Sequence, residues 1–290
     1  MIFSHLLIDP FINHDFMRRA LVSCLAIALS GAPLGVFLTL RRMALAGDAL
    51  SHAILPGVAV AFFCCGLSTL AMALGGIIAG CIVALISAAL TRYTSLKEDA
   101  SFTGIFLISL ALGVMIVSLH GNSDELVHML FGDALKITEI SFKLIVGIST
   151  FSLLLLAAIY RSLVMECFDA GYLHISGGRG ALIHSLFLIL VVLSLVSAFQ
   201  ALGTLMALGI ILLPAIAARF WTHTIDTMIA LSMLGSFAAS LAGLLFSYHL
   251  GVPSAAAIVL CAGALYLISV LFGTHDSVLA HFLPRRHFAS

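Results

Sequence analysis

Long apolar runs dominate this chain and limit what it can fold into. Its 290 residues contain nine such runs, separated by short stretches that carry charges, glycine or proline. An α-helix needs about 20 apolar residues to cross the hydrocarbon core of a bilayer. The runs therefore predict an all-α polytopic membrane protein with nine membrane-spanning helices, at roughly 16–40, 48–66, 69–91, 100–119, 140–160, 180–199, 201–220, 225–249 and 253–273.

The composition excludes most other classes of protein. Hydrophobic residues make up 62% of the chain and charged residues only 9%, against about 25% charged residues in an ordinary soluble domain. Thirteen acidic residues balance 13 basic ones, so the chain lacks the excess of basic charge typical of nucleic-acid binders. These values exclude a soluble enzyme, a disordered chain and a nucleic-acid-binding protein. They predict one transmembrane domain over residues 1–290.

The distribution of lysine and arginine predicts the orientation in the membrane, because cytoplasmic loops are enriched in both. With nine crossings, one side collects Arg41, Arg42, Arg92, Lys97, Arg161, Arg179, Arg219, Arg285 and Arg286. The other side collects Arg18, Arg19, Lys136 and Lys143. We therefore predict that the first side and the C-terminus are cytoplasmic. A first segment lying along the membrane surface, or an even number of crossings, stays open.

An ionisable pair, Asp48 and His52, lies inside an apolar segment. The spacing of four residues places both side chains on one face of a helix. A carboxylate in hydrocarbon is costly unless it finds a partner, so such residues indicate ion or substrate handling. Carboxylate oxygen and imidazole nitrogen suit zinc and are acceptable to manganese. The alternative from spacing alone is an Asp–His hydrogen bond near the membrane surface.

Prolines and glycines add weaker signals about helix shape. Pro56 and Pro214 lie within apolar runs and predict helix breaks near a translocation path. Simple packing kinks are the alternative. Two GxxxG spacings predict close helix contacts, at Gly31 to Gly35 and Gly76 to Gly80.

The chain shows no sign of hydrolysing ATP itself. Its glycine-rich stretch at 177–180 has no lysine after a glycine, which a phosphate-binding loop requires. The preceding residues, 160–176, mix apolar and polar side chains, and could lie on the membrane or dock into the groove of a cytosolic partner. If ATP powers this protein, another chain hydrolyses it.

Five sequence blocks together carry a resemblance to a known family. They are LRRMALAGDALSHAILPGVA at 40–59, LFGDALKIT at 130–138, FDAGYLHISGG at 168–178, LGTLMALGIILLPAIAARF at 202–220 and SYHLGVPSAAAIVL at 247–260. In these blocks the chain resembles the membrane permeases of zinc/manganese-type ABC importers over nearly its whole length. The resemblance implies a vitamin-import-like permease fold that works as a homodimer in the bacterial inner membrane.

The family resemblance also implies partners and roles for particular residues. Two copies of a cytosolic ATPase would bind the permease pair, and an extracytoplasmic solute-binding protein would deliver the cation. Asp48 and His52 match the Asp-x-x-x-His pair that family permeases carry on the translocation path. An ATPase-coupling segment at about 162–180 would include Phe168, Asp169 and Gly177. No permanently bound cofactor is expected, since the zinc or manganese cation is the transported substrate.

We therefore predict a permease subunit, not an enzyme, of an ATP-driven importer for zinc or manganese. Two alternatives remain at this point. A secondary carrier coupled to protons or ions would need no ATPase and would use Asp48 as its proton site. A membrane scaffold without transport would tolerate apolar replacements at Asp48 and His52.

Overall fold

The computed structural model describes residues 9–66, 68–95, 97–119, 134–168, 180–275 and 277–279, and every regular element within these ranges is helical. A single turn of 3-10 helix, Ala134–Lys136, precedes α7. The helices in chain order are α1 Asp9–Asn13, α2 Asp15–Leu40, α3 Ala44–Ala53, α4 Leu55–Cys65, α5 Thr69–Tyr93, α6 Glu98–Leu119, α7 Glu139–Phe168, α8 Gly180–Leu202, α9 Thr204–Arg219, α10 Ile225–Leu250 and α11 Ser254–Phe272.

Each predicted apolar run corresponds to a helix or a pair of helices. Eight spans are long and apolar enough to cross a membrane, with α3 and α4 together forming one of them, Ala44–Cys65. The ninth run forms α9, which has 16 residues and a length of about 24 Å at 1.5 Å per residue. The all-α polytopic fold is confirmed. The end predicted for the run at 140–160 is wrong, because α7 continues to Phe168.

Helices α2 and α8 form the centre of the bundle. In each, 72% of the most apolar stretch is buried, whereas the corresponding share is 17% in α6 and 22% in α7. A helix that is apolar all round can be buried in protein or face lipid, so composition alone does not separate these two positions. The outer helices present many large exposed apolar side chains, as lipid-facing helices do.

Glycines allow the helices to approach closely. A Cβ atom on Gly57 of α4 would lie 2.1 Å from the carbonyl oxygen of Gly75 in α5, so only glycine fits at this crossing. In α2, a Cβ atom on Gly35 would lie 2.2 Å from the carbonyl oxygen of Ile211 in α9. The same close packing surrounds the other glycines of the two predicted GxxxG pairs, Gly31, Gly76 and Gly80. These glycines therefore serve helix packing.

One end of the bundle, called the Arg41 end, gathers the C-termini of α2 and α7 and the N-terminus of α8. There Arg41 contacts both Glu166 and His184. The Tyr160 hydroxyl donates a hydrogen bond to Asp226, which brings the start of α10 to the same end. The basic residues predicted to be cytoplasmic lie on helix ends or connections at this end where they are described, namely Arg41, Arg42, Arg92, Lys97, Arg161 and Arg219.

The opposite end brings together the start of α2, the end of α10 and the start of α11. His14 and Tyr248 lie within hydrogen-bond distance, 3.1 Å between Nε2 and Oη. The backbone amide of Ala134 donates to Ser254 Oγ over 2.8 Å. The start of α7 at Glu139 follows Ala134 closely, so the basic residues predicted to be external, Arg18, Arg19, Lys136 and Lys143, belong to this end.

Candidate cation site

The predicted cation ligands lie on α3, which follows α2 after a three-residue turn. Arg42 adopts a left-handed conformation in this turn, with a φ of 59°. The Met43 amide donates to the Leu38 carbonyl over 2.8 Å, and the Gly47 amide then donates to the Met43 carbonyl over 3.1 Å. The chain therefore reverses direction abruptly, and the start of α3 is tied to the last turn of α2.

Asp48 and His52 share one face of α3, as the spacing predicts. Asp48 Oδ1 lies 3.9 Å from His52 Nε2, which is within ion-pair distance but too long for a hydrogen bond. The Asp48 side chain is 59% exposed and the His52 side chain is 25% exposed. The two groups are therefore close enough to bind one ion, and neither is closed off from a further ligand.

Helix α6 supports the imidazole from behind. The rings of His52 and Phe106 have centroids 5.9 Å apart. One turn further along α6, Ser109 Oγ donates to the Ala53 carbonyl over 3.3 Å. These contacts restrict the orientation of His52, while no described residue holds the Asp48 carboxylate in a comparable way.

A helix break follows directly after the ligand pair. Helix α3 ends at Ala53 and α4 begins at Leu55, with Pro56 in the first turn of α4. The break predicted at Pro214 is wrong, because α9 continues through this proline without interruption. The nearby interruption lies instead at Gly203, whose φ of 78° separates α8 from α9.

A single chain offers an incomplete set of ligands. Within the described residues, no group of three or more histidine, cysteine, aspartate or glutamate side chains could hold a metal ion. Asp48 and His52 supply two of the four ligands that a tetrahedral zinc site has, and manganese takes more. Ligands from water, the described backbone or a second copy of the chain are needed to complete the coordination.

Of the predicted ATPase-coupling residues, the structure describes Phe168. It is the last residue of α7, and it is 67% exposed. Asp169 and Gly177 lie outside the described residues, so their role stays a prediction. The chain enters the predicted segment from α7 and leaves it into α8, and both of these helix ends lie at the Arg41 end.

Arg41 is the centre of a polar cluster that sequence reasoning did not predict. Its Nη2 atom lies 3.0 Å from Glu166 Oε2, with both side chains only 11% exposed. Its Nε atom donates to Cys167 Sγ over 3.2 Å, and its Nη1 atom lies 2.8 Å from His184 Nδ1. Burial alone would lower the pKa of Arg41, but Cys167 and Glu166 outweigh burial and raise it above its ordinary value. The guanidinium is therefore charged.

The sequence contained only a faint signal for this cluster. Arg41 is one of the basic residues that predict the orientation, and His184 is a histidine inside an apolar run. The partners of Arg41 are 125 to 143 residues away in the chain, so no local pattern links them. The sequence signal for the cluster is therefore limited to the presence of Arg41 and His184 in apolar surroundings.

The ABC 3 transport family matches residues 13–273 of the chain, which includes all eight candidate spans and α9. The chain belongs to this family. The resemblance expected from the five sequence blocks is thereby confirmed. In an ABC 3 transport system the permease and the ATPase are separate subunits, so this chain is not an enzyme.

Individual relatives agree with this assignment. The manganese transport system membrane protein MntC of Halalkalibacterium halodurans is 30% identical over 275 residues, which are 94% of this chain and 93% of MntC. The chelated iron transport system membrane protein YfeD of Yersinia pestis is 28% identical over 272 residues, 94% of this chain and 90% of YfeD. The solved structure of PsaBC from Streptococcus pneumoniae in complex with Fab matches with a TM-score of 0.83 and 29% identity, covering 98% of this chain and 100% of that chain.

These findings establish the general function. This ABC 3 family chain is the permease subunit of a metal-type ABC transporter. It is a multi-pass protein of the bacterial cytoplasmic membrane. The vitamin-import-like ABC permease fold predicted from the resemblance is confirmed.

Proposed function

We propose that this permease forms the path of an ATP-driven importer for zinc or manganese, and that Asp48 and His52 bind the cation during its passage. The observation that carries the proposal is the Asp48–His52 pair itself. An acid and an imidazole lie 3.9 Å apart on one helix face within a membrane-spanning segment, and the acid is largely exposed.

The exposure of Asp48 supports a position on a polar path. A charged side chain facing hydrocarbon costs several kcal/mol, so acids in membrane-spanning segments face a protein interior, a partner or a water-filled cavity. Asp48 is 59% exposed in the isolated chain, and within the described residues His52 is the basic group in ion-pair contact with it. Its face of α3 therefore has to meet water, a cation or another protein surface rather than lipid tails.

A second copy of the permease would complete the ligand set. In a two-fold symmetric dimer whose axis passes beside α3, the same face of α3 from each subunit would meet its equivalent. Two aspartates and two histidines would then surround one ion with two oxygens and two nitrogens, a set that both zinc and manganese accept. The incompleteness of the site in one chain supports this arrangement.

The energy for transport would come from partners. We propose that a cytosolic ATPase binds at the Arg41 end through the segment at about 162–180, including Phe168, Asp169 and Gly177. An extracytoplasmic solute-binding protein would deliver the cation at the opposite end. The exposed Phe168 ring at the end of α7 supports a docking role for this part of the surface. Membership of an ABC family supports ATP-driven transport over a secondary carrier.

Uptake of labelled ions tests the assignment. Cells that express the permease with its transport system are given labelled manganese, zinc or iron(II), and the Asp48→Asn and His52→Ala variants are compared with wild type at equal membrane abundance. We expect both variants to lose most of the uptake of the preferred ion. Normal uptake by either variant would contradict its assignment as a cation ligand.

Matched controls separate a local effect from a general one. Glu139→Gln removes an exposed acid at the opposite end, and His223→Ala removes an exposed imidazole in the α9–α10 connection. Both controls should transport normally. Uptake that survives loss of cellular ATP but stops when the proton gradient is dissipated would replace the proposal with the secondary carrier. Normal uptake in all Asp48 and His52 variants would mean that other residues bind the cation during its passage.

A further inference from the structure

Arg41 makes three polar contacts at once, and they reach both ends of the predicted coupling segment. Glu166 and Cys167 lie in the last turn of α7, which forms the first part of this segment. His184 lies in the first turns of α8, directly after it. One guanidinium therefore joins the end of α7, where the coupling segment begins, to the start of α8, where it ends.

The shape of arginine matters for this arrangement. Its Nη2, Nε and Nη1 atoms point to Glu166, Cys167 and His184 respectively, and its Cζ atom lies 5.0 Å from the centroid of the Phe187 ring. His184 Nδ1 accepts a hydrogen bond from Arg41, so the imidazole is neutral with its proton on Nε2. A lysine has no planar fork and could not make these contacts together.

The backbone of Arg41 is connected just as directly to the cation ligands. Arg41 caps the C-terminus of α2, and its amide donates to the Phe37 carbonyl over 3.0 Å. The tight turn that follows leads straight into α3, where Asp48 lies seven residues after Arg41. A displacement of the α7 and α8 ends that moves Arg41 is therefore passed to the start of α3.

Free space beside the cluster allows such a displacement. A cavity of about 1020 Å³ opens at the Arg41 end between α5, α6, α7 and α8. Glu166 and His184 line it together with Glu98 at the start of α6. Among the described residues, the helix ends that Arg41 holds therefore border an open cavity on one side.

We propose that Arg41 is the positioning residue that couples the ATPase-docking helix ends to the cation site on α3. This inference rests on the proposed function, because it takes Asp48 and His52 as cation ligands and 162–180 as the docking segment. In the proposed mechanism, nucleotide binding by the ATPase moves the ends of α7 and α8, and Arg41 moves with Glu166 and His184. This movement changes the affinity of Asp48 and His52 for the cation.

Coupling between two sites is measurable as a ratio of affinities. The purified permease–ATPase complex is titrated with Mn²⁺ with and without a non-hydrolysable ATP analogue, and the two dissociation constants are divided. We expect a ratio of about tenfold for wild type, within the range usual for coupled sites. Arg41→Lys should bring the ratio close to one while the nucleotide-free dissociation constant stays within about twofold of wild type.

Arg161→Lys is the matched control, because Arg161 is an exposed arginine on α7 at the same end. It should keep the wild-type ratio. A wild-type ratio in Arg41→Lys would overturn the inference. So would an altered nucleotide-free affinity with an unchanged ratio, since that pattern describes a purely structural residue.

Two further measurements keep the test decisive. If Arg41→Lys does not assemble with the ATPase, Glu166→Gln can be used, because it leaves Arg41 in place and removes the charge that Arg41 pairs with. A reduced ratio of the two Mn²⁺ dissociation constants supports the inference, and a wild-type ratio overturns it. Failure of the proposed function looks different, since the wild-type complex would then not bind Mn²⁺ or Zn²⁺, or Asp48→Asn would bind like wild type. A wild-type ratio of one, with normal binding, would overturn the coupling alone.

Discussion

The two polar regions of this permease, the Asp48–His52 pair and the Arg41 cluster, differ in how completely their groups are partnered. Asp48 and His52 are 3.9 Å apart, and the carboxylate is mostly exposed. Arg41 is almost fully enclosed and has a partner for each side of its guanidinium. The difference teaches that the Asp48–His52 pair is open to binding and releasing a further ligand. The contacts of the Arg41 cluster, by contrast, can change only when the helices around it move.

Replacing Asp48 should have the largest effect on function and almost none on stability. Asp48→Asn removes the proposed charged ligand, and we expect the affinity for Mn²⁺ to fall by about 100-fold or more, the upper range seen when support of a metal site is lost. The thermal unfolding midpoint in detergent should stay unchanged, because the carboxylate is mostly exposed and its ion-pair contact with His52 is long, at 3.9 Å. A lowered thermal midpoint with a normal affinity for Mn²⁺ would contradict this expectation, because Asp48 would then contribute to stability rather than to cation binding.

Replacing Glu166 should show the opposite pattern. Glu166→Ala leaves the Arg41 charge buried without its carboxylate, and removal of one partner of a buried pair costs about 3–5 kcal/mol of stability. We expect a clearly lowered thermal midpoint of the permease in detergent, with a smaller loss in Glu166→Gln, which keeps a hydrogen-bond acceptor. An unchanged midpoint for Glu166→Ala would show that Arg41 is hydrated rather than enclosed.

A smaller effect is expected at Phe106, whose ring packs against His52 of the proposed cation site. Phe106→Leu removes the aromatic contact with His52, and such contacts contribute about 1 kcal/mol, equivalent to about fivefold in affinity. Mn²⁺ binding should weaken by that factor. Phe151→Leu is the matched control, since Phe151 is an exposed ring on α7. Equal effects of the two variants would mean that Phe106 does not position His52.

The smallest effect is expected at an exposed ion pair. Lys143 and Glu139 lie 2.7 Å apart at the start of α7, with both side chains mostly exposed. Surface pairs contribute little because water screens them and their side chains lose freedom when paired. Lys143→Ala should leave the thermal midpoint unchanged. If Lys143→Ala lowered the thermal midpoint as much as Glu166→Ala does, the thermal midpoint would not distinguish buried ion pairs from exposed ones.

Local sequence patterns predicted much of the helical architecture. All nine apolar runs became helices, since in a membrane each backbone amide and carbonyl has to be paired within its own helix. The predictions were wrong where tertiary contacts determine the position of a helix break or a helix end. Proline 214 was predicted to break a helix, but α9 accommodates it within a packed bundle, and glycine 203 separates the helices instead. The helix of the 140–160 run extends to Phe168, and its last turn contacts Arg41.

The sequence by itself determined which segments are helices, which small residues let them touch, and that Asp48 and His52 share a helix face. These features depend on residues a few positions apart, and the 3.6-residue period of the helix relates them directly. Only the tertiary structure decided that α2 and α8 are central, that the Asp48 face is open, and that Arg41 joins α7 to α8. Contacts between residues more than a hundred positions apart create these features, and an almost uniformly apolar sequence carries no local signal for them.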